Sequence, residues 1–148
     1  MLSGGYGKYE NWGLRVALSH TGGAASPELK LDLGNGVTME LVYIKPGSFT
    51  MGGESEKDGR FECVELPKHE VRITKGFYLG KYEVTQAQYE TIMGTNPSKS
   101  TKGADCPVDN VGASDALTFC GKLAELTGYD VRLPTESEWE YASRAGRE

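Results

Sequence analysis

The sequence has no apolar run near the ~18 residues that a membrane-crossing helix needs. Its first twenty residues hold Lys8, Glu10 and Arg15 and no continuous apolar stretch. No secretory leader is visible in them, so a cytoplasmic location is the default expectation. Positive charge is not in excess: 16 Lys and Arg against 21 Asp and Glu give a net charge of -5. A nucleic-acid binder wants a basic face, so that class is set aside. Cysteine and histidine are scarce. Cys63, Cys106 and Cys120 form no CxxC pair, and His20 and His69 lie far apart. Four zinc ligands do not assemble from them, and an odd cysteine count is not a disulfide framework. Cys106 and Cys120 either stay free or pair in an oxidising compartment, and the sequence leaves both open. Gly4-Gly5-Tyr6-Gly7 lacks both GxGxxG spacing and a preceding strand, so it is no dinucleotide loop.

Glycine is what the chain has in excess. Twenty glycines in 148 residues is about twice the usual share of roughly 7%. No Gly-X-Y period runs through them, which excludes collagen and leaves turns and irregular backbone. Apolar residues at 38% are enough for a packed core. Leu14, Val16 and Leu18 alternate with Arg15 and Ala17, a strand pattern. Leu29, Leu31 and Leu33 alternate likewise, and Asn35-Gly36 then marks a tight hairpin into a strand through Ile44. Pro46-Gly47 is a turn before another short strand at 48–51. Residues 52–68 are charged and aperiodic, as in a long surface loop that either binds a partner or is merely solvated. Strands are expected around Val71–Ile73 and from Phe77 to Val84.

Helices follow. Thr85-x-x-Gln88 reads as a capping box, with Tyr89, Ile92 and Met93 as the apolar stripe and Gly94 as the stop. Ser114 is placed to cap a second helix with Leu117, Cys120, Leu123, Ala124 and Leu126 facing inward, ending at Gly128. Val131–Leu133 forms a short strand. Thr135-x-x-Glu138 is a second capping box opening a third helix. Strands first and helices after, with long connections, predict an α+β fold.

Four blocks together resemble one family: residues 39–52 (MELVYIKPGSFTMG), 65–71 (ELPKHEV), 76–89 (GFYLGKYEVTQAQY) and 131–146 (VRLPTESEWEYASRAG). In order and spacing they resemble formylglycine-generating enzymes, the sulfatase-modifying factors, over residues 30 to 146. The resemblance implies an α+β fold like that of C-type lectins, with short antiparallel strands, three helices and much loop. Enzymes of that family oxidise a cysteine of a sulfatase to formylglycine with oxygen and copper. Others bind ligands or partners without catalysis. The family's copper-binding cysteines and calcium loops lie in a C-terminal half that has no counterpart here. The expectation is therefore a truncated domain with no catalytic, cofactor or metal residue of its own and no oxidase activity by itself. The alternatives are a lectin-like ligand- or protein-binding module, or a fragment of a full copper-dependent oxidase. Expected partners are a second copy, as a homodimer, or a complementing C-terminal half, with neither nucleic acid nor membrane. Gly112-Ala113 replaces the family's usual Ser-Trp, and Ser143 stands where many members have a cysteine that would partner Cys120.

Residues 12–18 (WGLRVAL) resemble the family's last strand, although here they come first. The chain thus divides into a tail-like strand at 1–18, a linker at 19–27 and a family-like head at 28–148. This arrangement reads as a domain boundary in a tandem gene, with Leu14–Leu18 expected as an antiparallel edge strand against the strand at 37–49, within its own chain or swapped from a neighbour. Seven residues are singled out. Glu136, Glu138 and Trp139 sit at the start of the third helix, where Glu138 serves the cap and Trp139 fills the core. Arg132 and Arg144 are expected to pair with that helix's carboxylates. Glu83 ends an apolar strand, and a buried charge there needs a partner. Arg15 is the candidate, with contact expected to Glu83 or Glu138.

Overall fold

The computed structural model describes residues 13–52, 68–100 and 102–144. Trp12, Cys63 and most of the charged 52–68 segment lie outside them. The elements run β1 (Ala17–Ser19), β2 (Glu28–Gly34), β3 (Val37–Ile44), β4 (Gly47–Met51), β5 (His69–Ile73), β6 (Phe77–Gly80), α1 (Gln86–Met93), α2 (Ala113–Thr127), β7 (Val131–Arg132) and α3 (Glu136–Arg144). The fold is α+β, as expected.

A five-stranded sheet in the order β2-β3-β6-β1-β7 forms the centre, and β4 and β5 make a separate antiparallel ribbon. The β2–β3 turn is Asn35-Gly36, both with positive φ (54° and 77°), the requirement that makes Asn-Gly a hairpin signal. Between β6 and β7 lies β1, antiparallel to both: Leu18 pairs with Tyr78 on one side and Val131 on the other. Two further bonds extend the seam beyond the strand, Gly80 N–H to Val16 O at 2.9 Å and Val84 N–H to Leu14 O at 2.7 Å. The amino-terminal strand thus docks on its own chain. It does so in the sheet interior rather than as an edge strand beside β3, because β6 occupies the place next to β3.

Strand alternation assigns the two faces. On one face Val16, Leu18, Leu31, Leu33, Leu41 and Tyr78 pack with Tyr89, Phe119, Cys120 and Leu123 of α1 and α2. On the other, Ala17, Phe77 and Leu79 pack with Ile73, Phe49 and Tyr141 of the ribbon and α3. The Tyr89 and Phe119 rings stack at 5.4 Å, joining α1 to α2.

Helices α1 and α3 begin where threonine side chains take up free amides. Thr85 caps α1: Gln88 N–H donates to its Oγ1 at 3.2 Å, and Thr85 N–H donates to Gln88 Oε1 at 3.0 Å. The start and inward face of α2 differ from expectation. Its N-cap is Gly112, not Ser114, and its buried residues are Ala116, Phe119, Cys120 and Leu123. Leu117 and Leu126 are 48% and 55% exposed. They flank a stripe whose centre is set by the sheet beneath it. Trp139, expected in the core, is half-buried on α3.

Leu18 is fully buried at the centre of the seam. Leu18→Ala should lower stability by about 2–5 kcal/mol, whereas Leu126→Ala should stay within about 0.5 kcal/mol. Urea denaturation of the two variants checks this.

Candidate functional site

Three polar constructions hold the irregular parts of the chain. Gln86, 2% exposed at the start of α1, receives Asn96 Nδ2 at 3.0 Å and Gly103 N–H at 3.3 Å on its Oε1. Its Nε2 donates to Pro107 O at 3.3 Å, and its backbone N–H to Cys106 O at 2.8 Å. One buried amide therefore ties down the connection between α1 and α2, as a buried polar group must be satisfied. Asp109 completes that connection, accepting the N–H groups of Lys99 and Ser100 and, at 2.6 Å, the Ser100 hydroxyl. The Ser100 hydroxyl bond leads the contacts that hold its carboxyl below the usual range.

The second construction joins β7 to α3. Arg132 grips Glu138 through two parallel hydrogen bonds, each 2.7 Å, and donates through Nε to Ser19 Oγ at 3.1 Å. Glu138 also accepts Thr135 N–H at 2.9 Å, and Glu138 N–H donates to Thr135 Oγ1. The same carboxylate thus closes the expected capping box and binds the expected arginine. One turn on, Arg144 pairs with Glu140 and lies over the Phe49 ring. Glu136 is exposed at the helix start. All three carboxylates therefore sit on α3, with arginines on two of them.

Arg15 does not join this set. Among the described residues it makes no ion pair or hydrogen bond with Glu83 or Glu138. Alternation explains why. Leu14 and Val16 point toward the helices, so Arg15 leaves with Ala17 toward the ribbon face. Glu83, beyond the end of β6, instead lies on the backbone of Gly13.

The third construction is a cleft. It has a volume of about 250 Å3 and lies between Gly13-Leu14, Glu83, residues 107–113, Ala116 and Leu133. Sequence reading missed it, because its walls come from four separate stretches of chain.

The described thiols are not arranged as a metal centre. Cys120 is buried on α2, and burial pushes its thiol up to about 11. Metals take the thiolate, which is scarce at that value. Cys106 is half-buried in the turn after Gly103. Among the described residues, no three His, Cys, Asp or Glu side chains stand together as a metal site.

The model of the sulfatase-modifying factor enzyme 1-like domain matches residues 34–148. The chain belongs to that family. A curated relative, the chaperone protein LppX of Paenibacillus barcinonensis, is 30% identical over 144 residues, an alignment covering 75% of this chain and 47% of the relative. PvdO of Pseudomonas aeruginosa is similar in structure, with a TM-score of 0.60 and 27% identity over 83% of this chain and 53% of that one. Treponema denticola variable protein 1 shares the fold, with a TM-score of 0.69 and 21% identity over 84% and 59% of the two chains. The chain spans about half the length of the curated relative it matches. In this sulfatase-modifying-factor domain, the Arg-Leu-Pro-Thr-Glu and Glu-Trp-Glu-Tyr motif acts as a joint: Arg132, Thr135 and Glu138 lock α3 onto the central sheet.

The joint is pH-sensitive. Burial alone would raise the Glu138 carboxyl, but the Arg132 hydrogen bonds, the Thr135 amide and the Arg132 charge together hold it below its ordinary 4.5. A depressed folded value means stability that is complete above the unfolded value and is lost as pH falls through the folded one. Glu138→Gln should therefore be less stable than wild type at pH 7, and the gap should narrow as pH falls below about 4. Melting temperatures of both proteins between pH 7 and 3 test this, and Asp109 cancels in the difference.

Proposed function

We propose that this segment is a protein-binding module of the sulfatase-modifying factor fold, chaperone-like in its role, and that it does not oxidise thiols by itself. The observation that carries the reading is the Cys120 thiol, buried in the α2 core and pushed up to about 11. A copper oxidase needs accessible thiolates that converge, and this thiol is a packing group. Three polar groups of the structural joints point the same way. Glu138, Arg132 and Asp109 are committed to caps and turns, which leaves them no role in acid–base chemistry. Similarity to a protein named as a chaperone supports a binding role.

The test has two arms. In the first, copper(I) is titrated into the full chain and a thiol peptide is then offered with oxygen. The expected result is no stoichiometric site dependent on Cys106 or Cys120, no aldehyde product, and a Cys120 that reacts with thiol reagents only on unfolding. In the second, an aggregating client is diluted from denaturant with and without the protein, and reduced light scattering is expected. Aldehyde formation, or copper binding abolished by Cys120→Ser, would overturn the reading in favour of an oxidase.

A further inference from the structure

The cleft beside Glu83 has a chemistry that its own walls do not satisfy. Two carboxylates line it, Glu83 and Asp109, and among the described residues no basic side chain does. Asp109 accepts the Lys99 and Ser100 N–H groups and the Ser100 hydroxyl, which tie it to the α1–α2 connection. Glu83 has no hydrogen-bond or ion-pair partner among the described residues. It is half-buried between the sheet and the α1–α2 connection. A left-handed Gly13 (φ 67°) lets it lie there, since a Cβ at that position would overlap the carboxylate. The remaining wall is apolar, from Leu14, Val108, Val111 and Leu133.

Elimination narrows the ligand. An anion would meet two negative charges. A neutral apolar group would cover Glu83 and leave a buried charge unpaired, which is costly. A calcium ion wants six to eight oxygens, and one free carboxylate falls short. The volume of about 250 Å3 lies below the ~300–1,000 Å3 of clefts that hold drug-sized ligands, which favours a smaller group. What does fit is an ammonium or guanidinium on a short aliphatic stem, its head on Glu83 and its stem along the leucines and valines.

We propose that this cleft binds a side-chain-sized organic cation, of the lysine or arginine type, through Glu83. This site is independent of whether the domain acts as a chaperone-like module, and small probes test it separately.

The experiment is a 15N–1H correlation titration of the full chain with Nα-acetyl-arginine amide, with butylammonium, and with Nα-acetyl-norleucine amide as the neutral counterpart. Saturable shifts are expected at Gly13, Leu14, Glu83 and the 108–112 amides for the cations. Norleucine, or Glu83→Gln with either cation, should bind at least roughly tenfold more weakly. Ala113→Lys keeps Glu83 and adds a tethered ammonium at the exposed rim, so it should weaken binding of both cations. Stronger binding of capped arginine assigns the site to a guanidinium head, and stronger binding of butylammonium to an alkylammonium head. No saturable shift with either cation, an equal response to norleucine, or wild-type affinity in both variants would overturn the proposal.

Discussion

The seam that β1 makes with β6 and β7 is the constraint on which the rest depends. All three residues of Ala17–Ser19 pair with β6, Ala17 and Leu18 also pair with β7, Ser19 N–H bonds Asp130 O, and the flanking bonds to Gly80 and Val84 lengthen the contact. Without β1, the two-residue β7 has no partner in the sheet. With β7 would go Arg132, whose grip on Glu138 and Ser19 orients α3. The same three residues supply both faces: Leu18 goes to the helical core, Ala17 to the ribbon core, and both are fully buried. Filling the centre of the sheet with an amino-terminal strand also leaves that strand no exposed edge.

Much of the remaining chain is irregular, and its order comes from polar groups rather than from ladders. Gln86 and Asp109 illustrate the principle. Each is a single side chain that satisfies several backbone groups across a loop, so the loop is fixed by hydrogen bonds it would otherwise make with water. Among the described residues no buried side-chain polar atom is left without a partner. A glycine-rich, loop-rich chain can hold one conformation this way, because each such bond costs more to leave unmade than it adds when formed.

Function follows from where the charges are spent. The motif most specific to the family, from Val131 through Arg144, is absorbed into one joint between strand and helix. A residue can therefore mark a family and still be structural. Glu83 is the contrast: it lies in the less distinctive block at 76–89, yet the fold places it in a cleft with no counter-charge among the described residues.

By itself the sequence determined what depends on three or four neighbouring residues. The two capping boxes, the Asn35-Gly36 hairpin, the Gly94 and Gly128 helix ends and the pairing of Arg132 and Arg144 with carboxylates of α3 were all legible, because propensity and reach are local; which carboxylate each takes was not. The four motif blocks also disclosed the family and hence the α+β architecture. Tertiary structure alone decided which strands flank β1, since Leu14–Leu18 carries an apolar alternation that suits β3 or β6 equally well. That choice set the outcome for Arg15, because in a strand one residue of register exchanges one face of the sheet for the other. It also set the inward stripe of α2, where Phe119 rather than Leu117 or Leu126 meets the sheet, since a helix with apolar residues on several sides takes its buried face from its neighbours. The cleft at Glu83 is the extreme case: four distant segments converge there, and no spacing along the chain encodes their meeting.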